Sequence, residues 1–142
     1  MRFILFATIS AAISACSTTA VSLRDATQVP SSRVTRYATP KPNTAKLIVI
    51  RDSGFVNGGC YMGLYVNGVL SARLATSEKV TLYVDQGEIL IGAGNDTYAR
   101  GPCSFAPNQI TSRETILKAG EVKIFRIKID QDGNFDILRH QM

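Results

Sequence analysis

The sequence predicts an all-β chain: an antiparallel β-sandwich of about eight short strands, preceded by a signal peptide and a flexible tether. Three observations carry that expectation. From residue 46 onward, runs rich in Val, Ile, Leu and Tyr recur at strand-like intervals between turn residues. No run in that region holds a convincing helical period. Ahead of it stand an apolar leader and a Ser/Thr/Ala/Pro-rich stretch with neither period.

Residues 1–16 read MRFILFATISAAISAC. Arg2 provides a short positive start, residues 3–13 are apolar and uncharged, and Ser14 and Ala15 are small. This is the shape of a signal peptide, too short to cross a bilayer as a helix. The run Ile13-Ser14-Ala15-Cys16 resembles the bacterial lipobox, although Leu is the commoner residue where Ile13 stands. The resemblance implies a signal peptide over 1–15, cleavage before Cys16 and a diacylglycerol on its sulfur. The protein would then be anchored in a membrane of the cell envelope. Ser17, where an Asp would favour inner-membrane retention, points to the outer membrane facing the periplasm if the host is Gram-negative.

Residues 16–44 read as the lipidated cysteine and a flexible tether, with Pro30, Pro40 and Pro42 among scattered apolar residues. Such a tether would hold a domain on the order of 30 Å from the lipid. The domain itself spans residues 45–142. Residues 46–51 (KLIVIR) form a continuous apolar run, as a strand buried on both faces would. Residues 61–66 and 69–74 flank Asn67-Gly68, a strong hairpin signal because a type I′ turn needs positive φ at both central positions. Residues 78–84 place Val80, Leu82 and Val84 on one face, and Gln86-Gly87 turns them into 88–91. Breakers between 92 and 110 predict a loop. Strands 112–117 and 122–129 flank a Lys118–Glu121 turn, and Asp132-Gly133 leads to a last strand at 135–138.

Lipid on Cys16 leaves Cys60 and Cys103 as an even pair in an oxidising compartment, so a disulfide is expected. Closing a loop of about 44 residues should stabilise the fold by about 4 kcal/mol in the chain-entropy account. The net charge of +5 raises a nucleic-acid partner, but Arg33, Arg36, Lys41, Lys46, Lys118, Lys123, Arg126 and Lys128 are dispersed and form no basic block. No nucleic-acid binding is expected.

Catalytic signals are weak. The one histidine, His140, lies near the chain end, and no nucleophile, zinc-hydrolase or phosphate-loop motif occurs. Asp130, Asp132, Asn134 and Asp136 have the alternate spacing of oxygen ligands for Ca²⁺, but Phe135 stands where an EF-hand loop needs Gly and Gln141 where it needs Glu. A polar Asp-Gly turn is the plainer reading, with neither metal nor cofactor expected. Tyr61 and Tyr65 flank Gly63 on one strand face, a pattern that suits a platform for a sugar or peptide or, more ordinarily, packing.

The stretch from Ala45 to Ile129 resembles the DUF2846 group of small bacterial lipoproteins and phage-borne proteins. The similar residues are Ala45-Lys46-Leu47-Ile48-Val49-Ile50-Arg51 with Phe55, then Leu64-Tyr65-Val66-Asn67-Gly68 with Leu74, and Leu117-Lys118-Ala119-Gly120-Glu121. Asp85-Gln86-Gly87 replaces a Pro-Gly of that group. The likeness extends to PEGA-like surface modules and implies a β-sandwich without catalysis. The expected function is a membrane-anchored, non-enzymatic envelope lipoprotein that binds an envelope protein, peptidoglycan or another component. The alternative is a periplasmic inhibitor or immunity protein against a lysozyme or toxin.

Overall fold

A computed structural model describes residues 18–141, so the expected signal peptide and the expected lipidation of Cys16 lie outside the described residues. The described chain is all-β, apart from two short 3-10 turns at Ser31–Arg33 and Gly101–Phe105. Its strands are β1 (Thr27–Gln28), β2 (Thr44–Arg51), β3 (Met62–Val66), β4 (Val69–Leu74) and β5 (Glu78–Asp85). They continue with β6 (Gly87–Asn95), β7 (Ile110–Leu117), β8 (Val122–Ile129) and β9 (Phe135–Arg139).

Two sheets form, in the orders β1-β5-β2-β8-β9 and β4-β3-β6-β7. Most pairs are antiparallel, but β2 pairs with β8 and β1 with β5 in parallel. One apolar cluster joins the sheets face to face in a sandwich-like arrangement. Leu47, Val49, Leu82 and Ile127 come from the first sheet, and Leu64, Leu74, Ile91 and Leu117 from the second. Asn67 and Gly68 adopt φ of 50° and 76°, as the turn between β3 and β4 requires. β6 continues through Gly92-Ala93-Gly94 to Asn95, where breakers suggested a loop. It is paired on both sides, with β3 and β7, and those ladders override the weak strand preference of its glycines.

The flexible tether expected over residues 16–44 is corrected for its described part. Thr18 Oγ1 and N–H both donate to Ile129 O, and Thr19 exchanges backbone hydrogen bonds with Ser53. β1 adds to the edge of β5, Val34 bridges to Ala72, and Val29 is buried in the main core. The reason lies in β2. Its run is apolar on both faces, and Ile50, on the face away from the main core, is buried with Ile124 and Ala26 under Val21 and Leu23. The scattered apolar residues of the leading segment are the lid for that outer face, and burying them repays the ordering of the chain.

Strand directions place the loops at two opposite ends. Residues 52–61, 75–77, 96–109 and 130–134 share one end, and the hairpin turns at 67–68 and 118–121 occupy the other. Thr18 joins the first end through Ile129 and Ser53. The candidate site lies there.

Candidate functional site

The loop-bearing end is built on a buried cation. Arg51, the last residue of β2, is fully buried and donates through Nη1 to Cys60 O (2.6 Å) and Leu74 O (2.9 Å) and through Nη2 to Asn57 O (2.7 Å). Burial pushes its guanidinium down to about 10, against the opposing charge of Glu78, so it stays protonated at neutral pH. The three carbonyls tie the 54–60 loop and the end of β4 to β2. Cys60 and Cys103 form the expected disulfide, with Cα atoms 5.6 Å apart, and it fastens the same loop to the 101–105 turn. Sequence patterning held no hint of the Arg51 role, because KLIVIR looks like a strand ending in a solvated Arg.

Over this base opens a cleft of about 500 Å³ lined by Cys60, Tyr61, Arg73, Asp96, Tyr98 and Arg100, among others. Asp96 is buried and accepts from Arg73 Nε (2.7 Å), while its other oxygen accepts the Tyr98 N–H (2.9 Å). One carboxylate therefore neutralises Arg73 and shapes the turn that presents Tyr98. The Arg73 guanidinium lies 5.0 Å from the centre of the Tyr61 ring and 5.9 Å from that of Tyr98. Arg33 lies 4.4 Å from Tyr61 and forms a two-pronged pair with Glu78 at 2.7 and 2.6 Å. The Glu78 hydrogen bond raises the Arg33 pKa. Burial acts to raise the Glu78 carboxyl, but Arg33, the Ala75 N–H and the charge of Arg51 together hold it below its ordinary range. Arg100 lines the cleft and makes no ion pair among the described residues.

The two tyrosines that the sequence offered either as a platform or as packing part company. Tyr61 precedes β3 and is 41% exposed, available on the cleft wall. Tyr65 is 3% exposed and donates its hydroxyl to Asn95 O, and burial pushes its phenol pKa up. Its ring lies against Gly63, so closely that an added Cβ would sit 2.6 Å from Tyr65 Cε2. Tyr98, which is 64% exposed and which sequence spacing did not single out because it comes from another loop, stands with Tyr61 on the cleft lining.

The carboxylates at 130–136 are engaged in a turn. Asp130 Oδ1 accepts the N–H groups of Asp132 and Asn134, both at 2.9 Å, and Asp130 Oδ2 accepts from the Asn134 side chain. Those hydrogen bonds, led by the Asn134 side chain, lower the Asp130 pKa. Asp136 pairs with Arg113 at 2.8 Å. His140 follows β9, with its backbone N–H bonded to Ile124 O. Aromatic walls, one anchored guanidinium and one free one suit binding of a ligand or partner with an anionic group beside a flat or apolar surface. Compared with family models, curated proteins and solved structures, the chain finds no match.

Proposed function

We propose that the chain is a lipid-anchored, non-enzymatic module of the cell envelope, a β-sandwich whose loop-bearing end binds an anionic envelope component. The lipobox-like run ending in Cys16 supports the anchor. The observation that carries the binding role is the cleft of Tyr61, Arg73, Tyr98 and Arg100, held open by a disulfide and two networks of buried ion pairs and hydrogen bonds. Such a cleft is pre-organised, so little ordering entropy is lost when it is filled. The carboxylate within it is held by Arg73, which favours recognition over proton transfer. Protein or peptidoglycan carboxylates near the membrane surface are the component in view.

The test is site-specific photo-crosslinking in intact envelopes. A photoreactive residue at Tyr98 should trap a discrete partner that the same residue at Asn67, on the opposite end, does not. Arg100→Glu should reduce the Tyr98 product. Equal trapping at both sites would overturn the cleft assignment, and unchanged membrane fractionation of Cys16→Ser would overturn the anchor. A stoichiometric lysozyme or toxin in the Tyr98 product would instead establish the inhibitor reading.

A further inference from the structure

Phe55 and Phe105 stand out on the loop-bearing end, at 102% and 85% exposed. Neither belongs to the cleft lining. Phe55 follows Gly54, whose backbone lies directly against Thr18: a Cβ on Gly54 would fall 2.9 Å from Thr18 Cγ2 and 3.2 Å from Thr18 Cα. Thr18 is itself held by Ile129 and is two residues from Cys16. Two residues of extended chain reach at most about 7 Å. Phe105 closes the 3-10 turn that carries Cys103, and the disulfide fastens that turn to the loop carrying Phe55. Both phenyl rings therefore project from one cross-linked end, beside the point where the chain departs for its proposed lipid.

We propose that this end lies against the bilayer, with Phe55 and Phe105 dipping into the interface between head groups and acyl chains. The inference rests on lipidation of Cys16. Given that anchor, a span of about 7 Å from Thr18 keeps the neighbouring Phe55 loop close to the head groups. Burying exposed phenyl rings in the interface is favourable in proportion to the apolar area removed from water. The Asp130–Asp132 turn also sits at this end through Ile129, and its carboxylates stay in the aqueous layer. Penetration is thereby limited to the tips of the two loops and the domain takes a defined tilt. The lipid and the two rings act as a multipoint contact, in place of a ball on a string.

The chain contains no Trp, so Phe55→Trp introduces a single reporter. The full-length, acylated variant is reconstituted into phosphatidylethanolamine/phosphatidylglycerol vesicles, and acylation is verified by mass. The indole at position 55 should emit to the blue of its value in the soluble form that also carries Cys16→Ser. It should lose most of its quenching by aqueous iodide and be quenched by bromolipids. The indole of Val69→Trp, on the opposite end, should stay iodide-accessible. Verified acylation with the Phe55→Trp reporter still open to iodide and untouched by bromolipids would overturn the inference and leave the anchor reading intact. A Cys16 found unacylated would remove the anchor itself, a separate failure visible in the mass. A reporter that shifts in native envelopes but not in these vesicles would identify a protein partner instead, and would likewise overturn it. Phe105→Trp repeats the measurement at the second loop and guards against misfolding of one variant.

Discussion

Replacing Arg51 by Met keeps an unbranched side chain in β2 and removes the donor fork from the base of the site. Three carbonyls, those of Asn57, Cys60 and Leu74, then lose hydrogen bonds of 2.7, 2.6 and 2.9 Å. Bonds to a charged group contribute about 1.5–3 kcal/mol each. Freeing the fold from a buried cation offsets part of that by several kcal/mol. What remains is a net loss of about 3 kcal/mol, a large fraction of the stability of a small domain. In urea this should lower the unfolding midpoint by roughly 1–3 M, from the slope expected for small proteins. Arg51→Lys retains the charge but has a compact ammonium in place of a planar fork, and should lose roughly half as much. Because the disulfide and Arg51 hold the same loop at Cys60, the two should couple by about 0.5–3 kcal/mol, with Arg51→Met more damaging in reduced protein. A midpoint within about 0.3 M of the parent for Arg51→Met would refute the reasoning, since the freed carbonyls would then be finding water at no cost.

Reduction of Cys60–Cys103, or its replacement by a pair of serines, should lower stability by about 4 kcal/mol; two free thiols by mass in the folded protein would contradict the bridge. Gly63→Ala places a methyl 2.6 Å from Tyr65 Cε2 and 2.8 Å from its hydroxyl, so it should destabilise by about 1–3 kcal/mol. Much of that loss should disappear in a Tyr65→Leu background, and strict additivity in a double-mutant cycle would argue against the contact. Glu78 has a folded pKa below its unfolded value of about 4.5, so its stabilisation is fully present above that pH and is lost as pH falls through the lower folded value. Urea midpoints should decline in that acid range, and Glu78→Gln should flatten the decline. Tyr98→Ala should reduce cross-linking to a cleft partner from a photoreactive residue at Ala99, also on the cleft lining, while leaving stability within about 0.5 kcal/mol of the parent, because Tyr98 is largely exposed.

Much of the framework was legible in the chain. Alternation marked β5 at Val80, Leu82 and Val84, and the Asn67-Gly68 pair marked a turn whose φ values of 50° and 76° are those it demands. These are local signals, since side-chain period and turn chemistry are properties of a few neighbouring residues. The Cys60–Cys103 bridge was legible for a different reason. Counting cysteines, with Cys16 set aside for lipid, leaves a single pairing.

What tertiary structure decided was which surfaces meet. KLIVIR announced a strand buried on both sides, but nothing local said that its second face would be covered by Val21, Leu23 and Ala26. A Ser/Thr/Pro-rich segment with sparse apolar residues has the composition of a tether, yet those three residues meet a complementary face. Likewise Tyr61 and Tyr65 share a face by period, but the space over Gly63 buries one ring, and a partner for the other arrives from the 96–98 turn. The same holds for Arg51, whose three carbonyl partners lie up to 23 residues away. Sequence determined the strands, the turns and the cysteine parity because those depend on neighbours along the chain. The covered outer face, the cleft and the exposed phenylalanines beside Thr18 depend on neighbours in space, and only the folded chain supplies those.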